Sequence, residues 1–409
     1  MNKVAVIKCE SYENKEVDKR VGKMLGCLHD FLNNVDFKDK NVVIKANLVS
    51  AMHPSKCATT HPSVVEAVVR YVMAKGGHCT IADSSGGPFN KAYMNNVYKT
   101  TEMDKVCERT GATTNSNFSF AEIASDKAIM HKTLPIINAL VDADLIINIA
   151  KLKTHTFMGY SGAVKNMFGA IPGLMKVEMH GNFKDQFAFS NYIVDIFETL
   201  KDKICLNIID GIEGMEGEGP TGGTPIKMNC LLASTNAYDL DLIMQQIMGI
   251  NPYDMPLVQV EQQRNLISEN ELSNIEIIGD NPAAFKKRNF NNPQIEIYNK
   301  SNKKIPLFLN GFVHKVLTRR PCISKRKCKG CKKCYNHCPV KAITMHPKKD
   351  NKLYAKIDYE KCIRCFCCQE LCPFNVVKIK SGIIYKIVHR KRKANKNAQK
   401  ALKNWKFND

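Results

Sequence analysis

Two runs of four cysteines are the residues whose type and spacing point most directly to chemistry. Each run reads Cys-x-x-Cys-x-x-Cys-x-x-x-Cys-Pro, and the runs occupy Cys328–Pro339 and Cys362–Pro373. Cysteines at this interval let one tight loop place three thiolates around an iron–sulfur cubane. The proline after the fourth cysteine turns the chain away, so that this cysteine can reach a neighbouring cluster. The spacing therefore predicts two 4Fe-4S clusters that exchange their fourth ligands.

The exchange assigns four thiolates to each cluster. We expect the first cluster to bind Cys328, Cys331, Cys334 and Cys372, and the second to bind Cys362, Cys365, Cys368 and Cys338. Zinc is the alternative for paired Cys-x-x-Cys motifs, but two complete runs that each end in Cys-Pro favour clusters. Cys322 and Cys367 fall outside the spacing, and we expect them to be non-ligating thiols; for Cys367 the alternative is a cluster ligand. Over residues 320–381 the sequence resembles the ferredoxin-type 4Fe-4S domain.

The positive charge of the chain is concentrated at the same end as these cysteines. The 409 residues carry a formal net charge of +21. Residues 311–409 hold 27 Lys and Arg against 5 Asp and Glu, whereas the first 310 residues hold 33 against 34. Two clusters of about −2 each would leave this end basic. We expect it to attract a small acidic electron carrier, a ferredoxin or a flavodoxin; a solvated lysine-rich surface is the alternative.

The spacing of the remaining cysteines gives information about the cellular compartment of the protein. Seven of the 17 are isolated at irregular spacing, which does not suggest a disulfide framework. No stretch approaches 18 uncharged apolar residues, and the first residues lack the apolar region of a signal peptide. The sequence therefore predicts a cytoplasmic protein without a transmembrane segment, in which clustered cysteines bind metal.

The elements that would position a second site lie in the first two thirds of the chain. Short apolar runs predict buried strands at Lys3–Cys9, Asn41–Ala46, His78–Ala82, Leu145–Ala150 and Cys205–Asp210. Between them, apolar periodicity predicts helices at residues 62–75, 187–200 and 237–248. This alternation predicts an α/β fold, a mainly parallel sheet with flanking helices, plus a small α+β ferredoxin-type two-cluster domain. The expected division is an α/β domain at 1–285, a linker at 286–319, the two-cluster domain at 320–381 and a basic tail at 382–409.

Polar and glycine-rich stretches follow several predicted strands, where open α/β sheets bind ligands. The sequence contains neither the glycine fingerprint of a dinucleotide site nor a P-loop, so a flavin has no motif to support it. The candidate ligand-binding residues of these stretches are Lys45, Asn47, Asp83, Gly86, Gly87, Lys151, Lys165, Asn166, Asp210, Glu213 and Glu216.

Each candidate has a chemical role and a structural alternative. The lysines, with Lys153, would hold an anionic substrate or cofactor, and the acidic residues would orient a substrate or bind a metal ion. The candidate catalytic residues are His155, Lys153 and His61, because histidine titrates near neutral pH. His61 could equally cap the helix that begins at Pro62. The glycines from Gly86 onward could form a plain turn, and the glycine-rich stretch after Asp210 a flexible lid.

Six motifs together resemble a known family. They are IKANLV, ATTHP, DSSGGP, KLKTHTFMGYSGAVKNMFG, DGIEGMEGEGP and CIRCFCCQELCP. This combination, which covers nearly the whole chain, is similar to the domain-of-unknown-function family 362 of iron–sulfur proteins. The resemblance implies an α/β domain of unassigned chemistry joined to a two-cluster ferredoxin module, mostly in anaerobes and archaea.

Three functions fit the sequence. The first is a redox enzyme in which two 4Fe-4S clusters pass electrons to or from an unidentified small molecule in the α/β domain. The second is a non-enzymatic electron carrier or maturation partner, with the α/β domain as a docking unit. The third is a nucleic-acid-associated iron–sulfur protein, in which the basic tail contacts RNA or another anionic surface.

Overall fold

A computed structural model of the chain describes residues 2–292 and 319–382. The strands are β1 (Asn2–Lys8), β2 (Asn41–Lys45), β3 (His78–Ala82), β4 (Thr113–Thr114), β5 (Phe120–Ala124), β6 (Thr133–Ile137), β7 (Leu145–His155), β8 (Gly159–Ser161), β9 (Ile204–Glu216), β10 (Thr224–Ser234), β11 (Ile275–Gly279), β12 (Arg319–Ile323), β13 (Ile343–Pro347), β14 (Leu353–Ile357) and β15 (Val377–Ser381).

The helices flank the strands along the chain. They are α1 (Asn14–Gly26), α2 (His29–Leu32), α3 (Pro62–Ala74), α4 (Lys91–Thr100), α5 (Met103–Thr110), α6 (Asn138–Val141), α7 (Ala163–Asn166), α8 (Met175–Asn182), α9 (Gln186–Leu200), α10 (Ala237–Ile247), α11 (Pro256–Gln263), α12 (Lys333–Asn336) and α13 (Cys367–Glu370). Among the described residues, none of these helices combines the length and apolar character needed to span a bilayer.

Within the described residues, nine strands form one mixed sheet in the order β11-β1-β10-β9-β7-β2-β3-β4, with β8 paired to β7. The β11–β1, β9–β7, β7–β2, β2–β3 and β3–β4 pairs are parallel, and the pairs made by β10 and β8 are antiparallel. Side chains alternate between two apolar layers: Val4 and Val6 pack on the side of α9 to α11, Ala5 and Ile7 on the side of α1 and α3. The predicted α/β class with a mainly parallel sheet is confirmed.

Two strands extend well beyond their predicted ends. The prediction ended them at Ala150 and Asp210, but β7 continues to His155 and β9 to Glu216. Lys151, Lys153 and His155 therefore lie in a strand and not in a loop. Their period of two places them on one face, because successive strand side chains point to opposite faces. The prediction treated these polar residues as the end of the strand, although their alternation with apolar neighbours is itself a strand signal.

The cysteine module, residues 319–382, consists of two halves with the same backbone conformation. Short antiparallel pairs, β12–β15 and β13–β14, flank the cysteine loops. Equivalent positions of the halves share a positive φ: Gly330 and Arg364, Lys332 and Phe366, Lys341 and Asn375. Most of these positions carry side chains despite a conformation that favours glycine, so the surrounding fold imposes this backbone twice.

Part of the predicted division lies outside the described residues. The linker predicted at 286–319 is described only at its ends, and its first residues contact the α/β domain: Asn291 N donates to Glu216 Oε2 at 2.7 Å and Asn292 Nδ2 to Met248 O at 2.9 Å. The basic tail predicted at 382–409 lies beyond the described residues except for its first position.

Candidate functional site

The carboxyl ends of the parallel strands bury several predicted site lysines. Lys45 is fully buried, and its Nζ lies 2.7 Å from Asp83 Oδ1. The other oxygen of Asp83 accepts a hydrogen bond from Leu48 N at 2.5 Å. A Cβ at Gly169 would overlap both charged groups, so only glycine fits beside them. Burial lowers the pKa of Lys45, and Asp83 opposes that effect. This pair is satisfied inside the protein and leaves no free charge for a ligand.

Lys151 is engaged in the same way. Its Nζ donates to Asp210 Oδ2 at 2.8 Å and to the Tyr12 hydroxyl at 2.6 Å, and that hydroxyl donates to Asp210 Oδ1 at 2.8 Å. The His61 ring stacks on Tyr12 with 3.5 Å between centroids, and His61 Nδ1 accepts from Ser63 N at 3.2 Å. Burial lowers the pKa of His61 to about 4. His61 thus caps α3 as a neutral ring, which favours its structural alternative over proton donation.

Lys153 contacts the two predicted asparagines. Its Nζ donates to Asn47 Oδ1 at 2.7 Å and to Ala58 O at 2.6 Å, and Asn47 Nδ2 donates to Asn166 Oδ1 at 2.7 Å. These partners are neutral, so no carboxylate hydrogen-bonds the Lys153 ammonium. Burial, and then the charge of Lys165, lower the pKa of Lys153 to about 7.

His155, at the end of β7, faces the cysteine module. Its Nδ1 accepts hydrogen bonds from the backbone N–H groups of Phe157 and Met158, each at 3.2 Å. The neutral ring therefore carries its proton on Nε2, which lies 3.6 Å from Glu370 Oε1. Burial lowers the pKa of His155 well below its usual range. The Glu370 carboxylate belongs to α13, between the predicted ligands Cys368 and Cys372.

Lys165, on α7, completes this arrangement. Among the described residues its Nζ has no hydrogen-bond partner; it lies 5.7 Å from the centre of the Phe168 ring. Burial lowers the pKa of Lys165 to about 8, while Glu370 and then Cys367 act in the opposite direction. Burial raises the pKa of Glu370, whereas the charges of Lys165 and Lys153 lower it. We call Lys153, His155, Lys165 and Glu370 the junction group, since it joins the α/β domain to the cysteine module.

The other predicted loop residues lie apart from the junction group. The N–H of Gly86 donates to Val49 O at 3.0 Å, and a Cβ at Gly87 would overlap the Tyr93 ring. The Gly86 amide is therefore engaged within the protein, as in a plain turn. Among the carboxylates, Glu213 Oε2 lies 3.5 Å from Cys57 Sγ, and Glu216 accepts from the chain after β11. Within the described residues, no three His, Cys, Asp or Glu side chains are grouped to hold a single metal ion.

The glycine-rich stretch after β9 docks on the cysteine module. Gln369 Nε2, on α13, donates to Glu218 O at 2.7 Å, and a Cβ at Gly222 would overlap that same amide. Thr156 donates to Gly219 O through its N–H at 3.0 Å and its hydroxyl at 2.7 Å. This stretch thus holds α13 beside the end of β7, in a fixed contact that a freely moving lid would not make.

The structure brings together both predicted sets of cysteines. Burial and the thiols of its own set, Cys328, Cys331 and Cys372, raise the pKa of Cys334 to about 11. Burial, followed by the thiols Cys365, Cys362, Cys334 and Cys338, raises the pKa of Cys368 well above its usual range. The second set lines a small pocket, partly open to solvent, with apolar neighbours such as Ile343, Ile357 and Ile363.

Four sulfurs around an apolar cavity fit a 4Fe-4S cubane, whose corner ligands stand farther apart than those of one zinc ion. The spare thiol Cys367 is buried and, together with Cys365, packs against Val177 of α8. The other spare thiol, Cys322, lies 3.4 Å from the Tyr359 hydroxyl.

Sequence reasoning missed three residues of this region. Tyr12 shares the Lys151 ion pair, Glu370 belongs to the junction group, and Lys176 Nζ donates to Ile171 O at 2.6 Å and Ser84 Oγ at 3.0 Å. Burial lowers the pKa of Lys176 to about 7. Only the polar character of Glu370 inside a cysteine loop could have pointed to it, because its partners are more than 200 residues away in sequence.

Comparisons with known proteins give the chain two matches to described families. Residues 42–246, half of the chain, match the domain of unknown function DUF362, and residues 327–376 match the 4Fe-4S dicluster domain. The chain is 29% identical over 269 residues to the thylakoid-associated protein sll1697 of Synechocystis sp., an alignment that covers 64% of this chain and 79% of that protein.

Two further relatives match the cysteine module alone. The pyruvate synthase subunit PorD of Methanocaldococcus jannaschii is 38% identical over 60 residues, 15% of this chain and 65% of that subunit. An uncharacterized ferredoxin of the same organism is 35% identical over 75 residues, 18% and 90% of the two chains. The lactate racemase apoprotein from Thermoanaerobacterium thermosaccharolyticum matches with a TM-score of 0.36 at 16% identity, over 61% of this chain and 58% of that chain.

The buried ion pair at Lys45 gives a test of the strand-end architecture. Replacing Asp83→Asn leaves a buried ammonium without its counter-charge, which costs about 3–5 kcal/mol of unfolding free energy. The control is Asp202→Asn, whose side chain is 81% exposed beside Lys127, and it should cost less than about 1 kcal/mol. Urea unfolding under anaerobic conditions measures both. Equal losses in the two variants would contradict the internal role of Asp83.

Proposed function

The chain belongs to the DUF362 family and carries a ferredoxin-type 4Fe-4S domain, and we propose that it is a ferredoxin-linked oxidoreductase whose substrate is a small anion bound at the junction group. In this proposal two clusters relay electrons between an external carrier and the α/β domain. The observation that carries it is the position of Glu370: the loop that supplies predicted ligands of the second cluster also contributes this carboxylate to a site built by the ends of β7 and α7.

The two cysteine sets would hold the clusters. The first set is Cys328, Cys331, Cys334 and Cys372, and the second is Cys362, Cys365, Cys368 and Cys338. A bound 4Fe-4S cluster supplies one-electron transfer at a potential set by nearby charge and hydrogen bonds. Val177 of α8 packs against Cys365 and Cys367, and Pro339 approaches Gly181 at the end of the same helix. The second set is therefore the one that lies against the α/β domain.

The residues of the junction group have complementary roles. Lys165 has no hydrogen-bond partner among the described residues, so its ammonium is available to an anion. Lys153 is fixed by Asn47 and Ala58 and adds a second positive charge at pH values below its pKa of about 7. The Nε2–H of His155 can donate a hydrogen bond to a bound anion, because Nδ1 accepts from two backbone N–H groups. Burial raises the pKa of Glu370, next to that Nε2, so its carboxyl group is placed to supply a proton to a reduced substrate.

A non-enzymatic electron carrier is the second candidate. This candidate is favoured because Lys45 and Lys151, two of the predicted ligand-binding lysines, are both neutralised by buried carboxylates. In that case the junction group would only fix the cysteine module on the α/β domain. For either candidate we propose a cytoplasmic location, where a reducing environment keeps the cysteines available to clusters.

The ligand assignment is tested by iron and sulfide analysis after anaerobic purification. We expect about eight irons per chain for the native sequence and about four for Cys365→Ser, because one cubane is lost. Cys367→Ser is the matched control and should keep about eight. Four irons in the native chain would contradict the two clusters, and loss of iron in Cys367→Ser would contradict the ligand set.

The role of Lys165 is tested by changing the charge of its side chain. The pKa of about 8 means that the ammonium is protonated at pH 6.5 and largely neutral at pH 9.5. Thermal stabilisation by members of a panel of small carboxylates and phosphate esters should therefore be present at the lower pH and lost at the higher one. Lys165→Arg, charged at both values, should keep it at pH 9.5, and Lys165→Met should abolish it. Unchanged stabilisation in Lys165→Met would contradict the proposed site.

A further inference from the structure

The two halves of the cysteine module have equivalent backbones but opposite surroundings. In the second half, the face of α13 is covered by the α/β domain: Phe366 is 6% exposed, Cys367 4% and Gln369 3%. These residues pack into the main apolar core, against Val177 and on Glu218 O. The α/β domain therefore covers the loop that carries the second set of cysteines.

In the first half, the same positions are open. The residues equivalent to Phe366, Cys367 and Gln369 are Lys332, Lys333 and Tyr335, all of them exposed, and Tyr335 is 46% exposed. The same contrast holds for two residues outside the helices. Pro339 packs near Gly181 of α8, whereas its equivalent Pro373 is exposed, and it is followed by Phe374, which is 48% exposed.

The open face combines positive charge with exposed aromatic rings. Within the described residues, the exposed lysines at positions 329, 332 and 333 form no ion pair with a carboxylate. Between them Cys331, a predicted ligand of the first cluster, is itself exposed, whereas its equivalent Cys365 is buried. A protein that docks here approaches the first cluster closely, and it meets a surface that a bound cluster of about −2 leaves positive.

We propose that this face, made by Lys329, Lys332, Lys333, Tyr335 and Phe374, is the docking surface for a small acidic electron-carrier protein. The inference rests on the proposed electron-transfer function and names its partner and entry point. Unpaired lysines select an acidic partner and steer its approach, and the two exposed aromatic rings supply apolar contact. A cluster held by Cys328, Cys331, Cys334 and Cys372 would accept one electron from the reduced carrier, which would be oxidised, and the set Cys362, Cys365, Cys368 and Cys338 would hold the cluster that passes this electron on.

The test reverses charge on this face and measures electron entry. A purified acidic 4Fe-4S ferredoxin, pre-reduced and freed of excess reductant, is mixed with the full chain at low ionic strength in a stopped-flow instrument. The variant Lys332→Glu/Lys333→Glu should slow cluster reduction at least about tenfold, and added salt should reduce the difference. The matched control Lys15→Glu/Lys19→Glu makes the same change of net charge on exposed positions of α1 and should leave the rate within about twofold.

Further measurements separate the outcomes. Iron content and the visible cluster absorbance of each variant must equal those of the native chain, and Tyr335→Ser should slow the reaction without any change of charge. Equal slowing in both charge-reversal variants would show a net-charge effect and overturn the assignment, as would a native rate in Lys332→Glu/Lys333→Glu. Loss of retention on polyuridylate RNA with an unchanged carrier rate would assign the face to nucleic acid instead. Absence of cluster iron in the native chain would refute the proposed function itself, whereas the other adverse results leave it standing.

Discussion

Burial of lysine ammonium groups at the carboxyl ends of the central strands is the constraint on which the rest of the structure depends. A buried charge is costly unless a counter-charge or good hydrogen bonds accompany it. Asp83 and Asp210 neutralise two of these lysines, and carbonyl oxygens hold a third. Lys165, on α7, is half-buried, and Glu370 of the cysteine module is the group that most favours its charged form. A carboxylate of the cysteine module therefore partly balances a positive charge of the α/β domain.

That dependence explains why the cysteine module is fixed on one side only. Gln369 and Phe366 dock the second half through a hydrogen bond to Glu218 and through apolar burial, and the same docking brings Glu370 to His155. The first half, with the same backbone, stays open and basic. The two halves of the cysteine module therefore share a backbone but differ in their side chains. The second half presents apolar and amide side chains, and the first presents lysines and tyrosine.

The sequence predicted the architecture well and the site only in part. Fold class, helix positions and the two cysteine sets follow from periodicity and spacing, which are local signals. The error at Lys151, Lys153 and His155 arose because polar residues were taken to end a strand, although their alternation placed them on one buried face. Contacts between segments far apart in sequence decide which lysine stays free. They also bring Glu370 to face His155. No spacing rule encodes such contacts, so Lys165 could not be separated from Lys45 without the structure.

Lys165 interacts electrostatically with Glu370 and Cys367 of the loop that carries the second set of cysteines, so its charge should act on a cluster bound there. A redox titration of both clusters, followed by electron paramagnetic resonance at pH 7, measures this directly in the native chain and in Lys165→Met. Loss of a nearby positive charge disfavours an added electron, so we expect the potential of one cluster to fall by on the order of tens of millivolts while the other stays constant. Lys165→Arg should restore the native value. Unchanged potentials, or equal shifts in both clusters, would contradict the account.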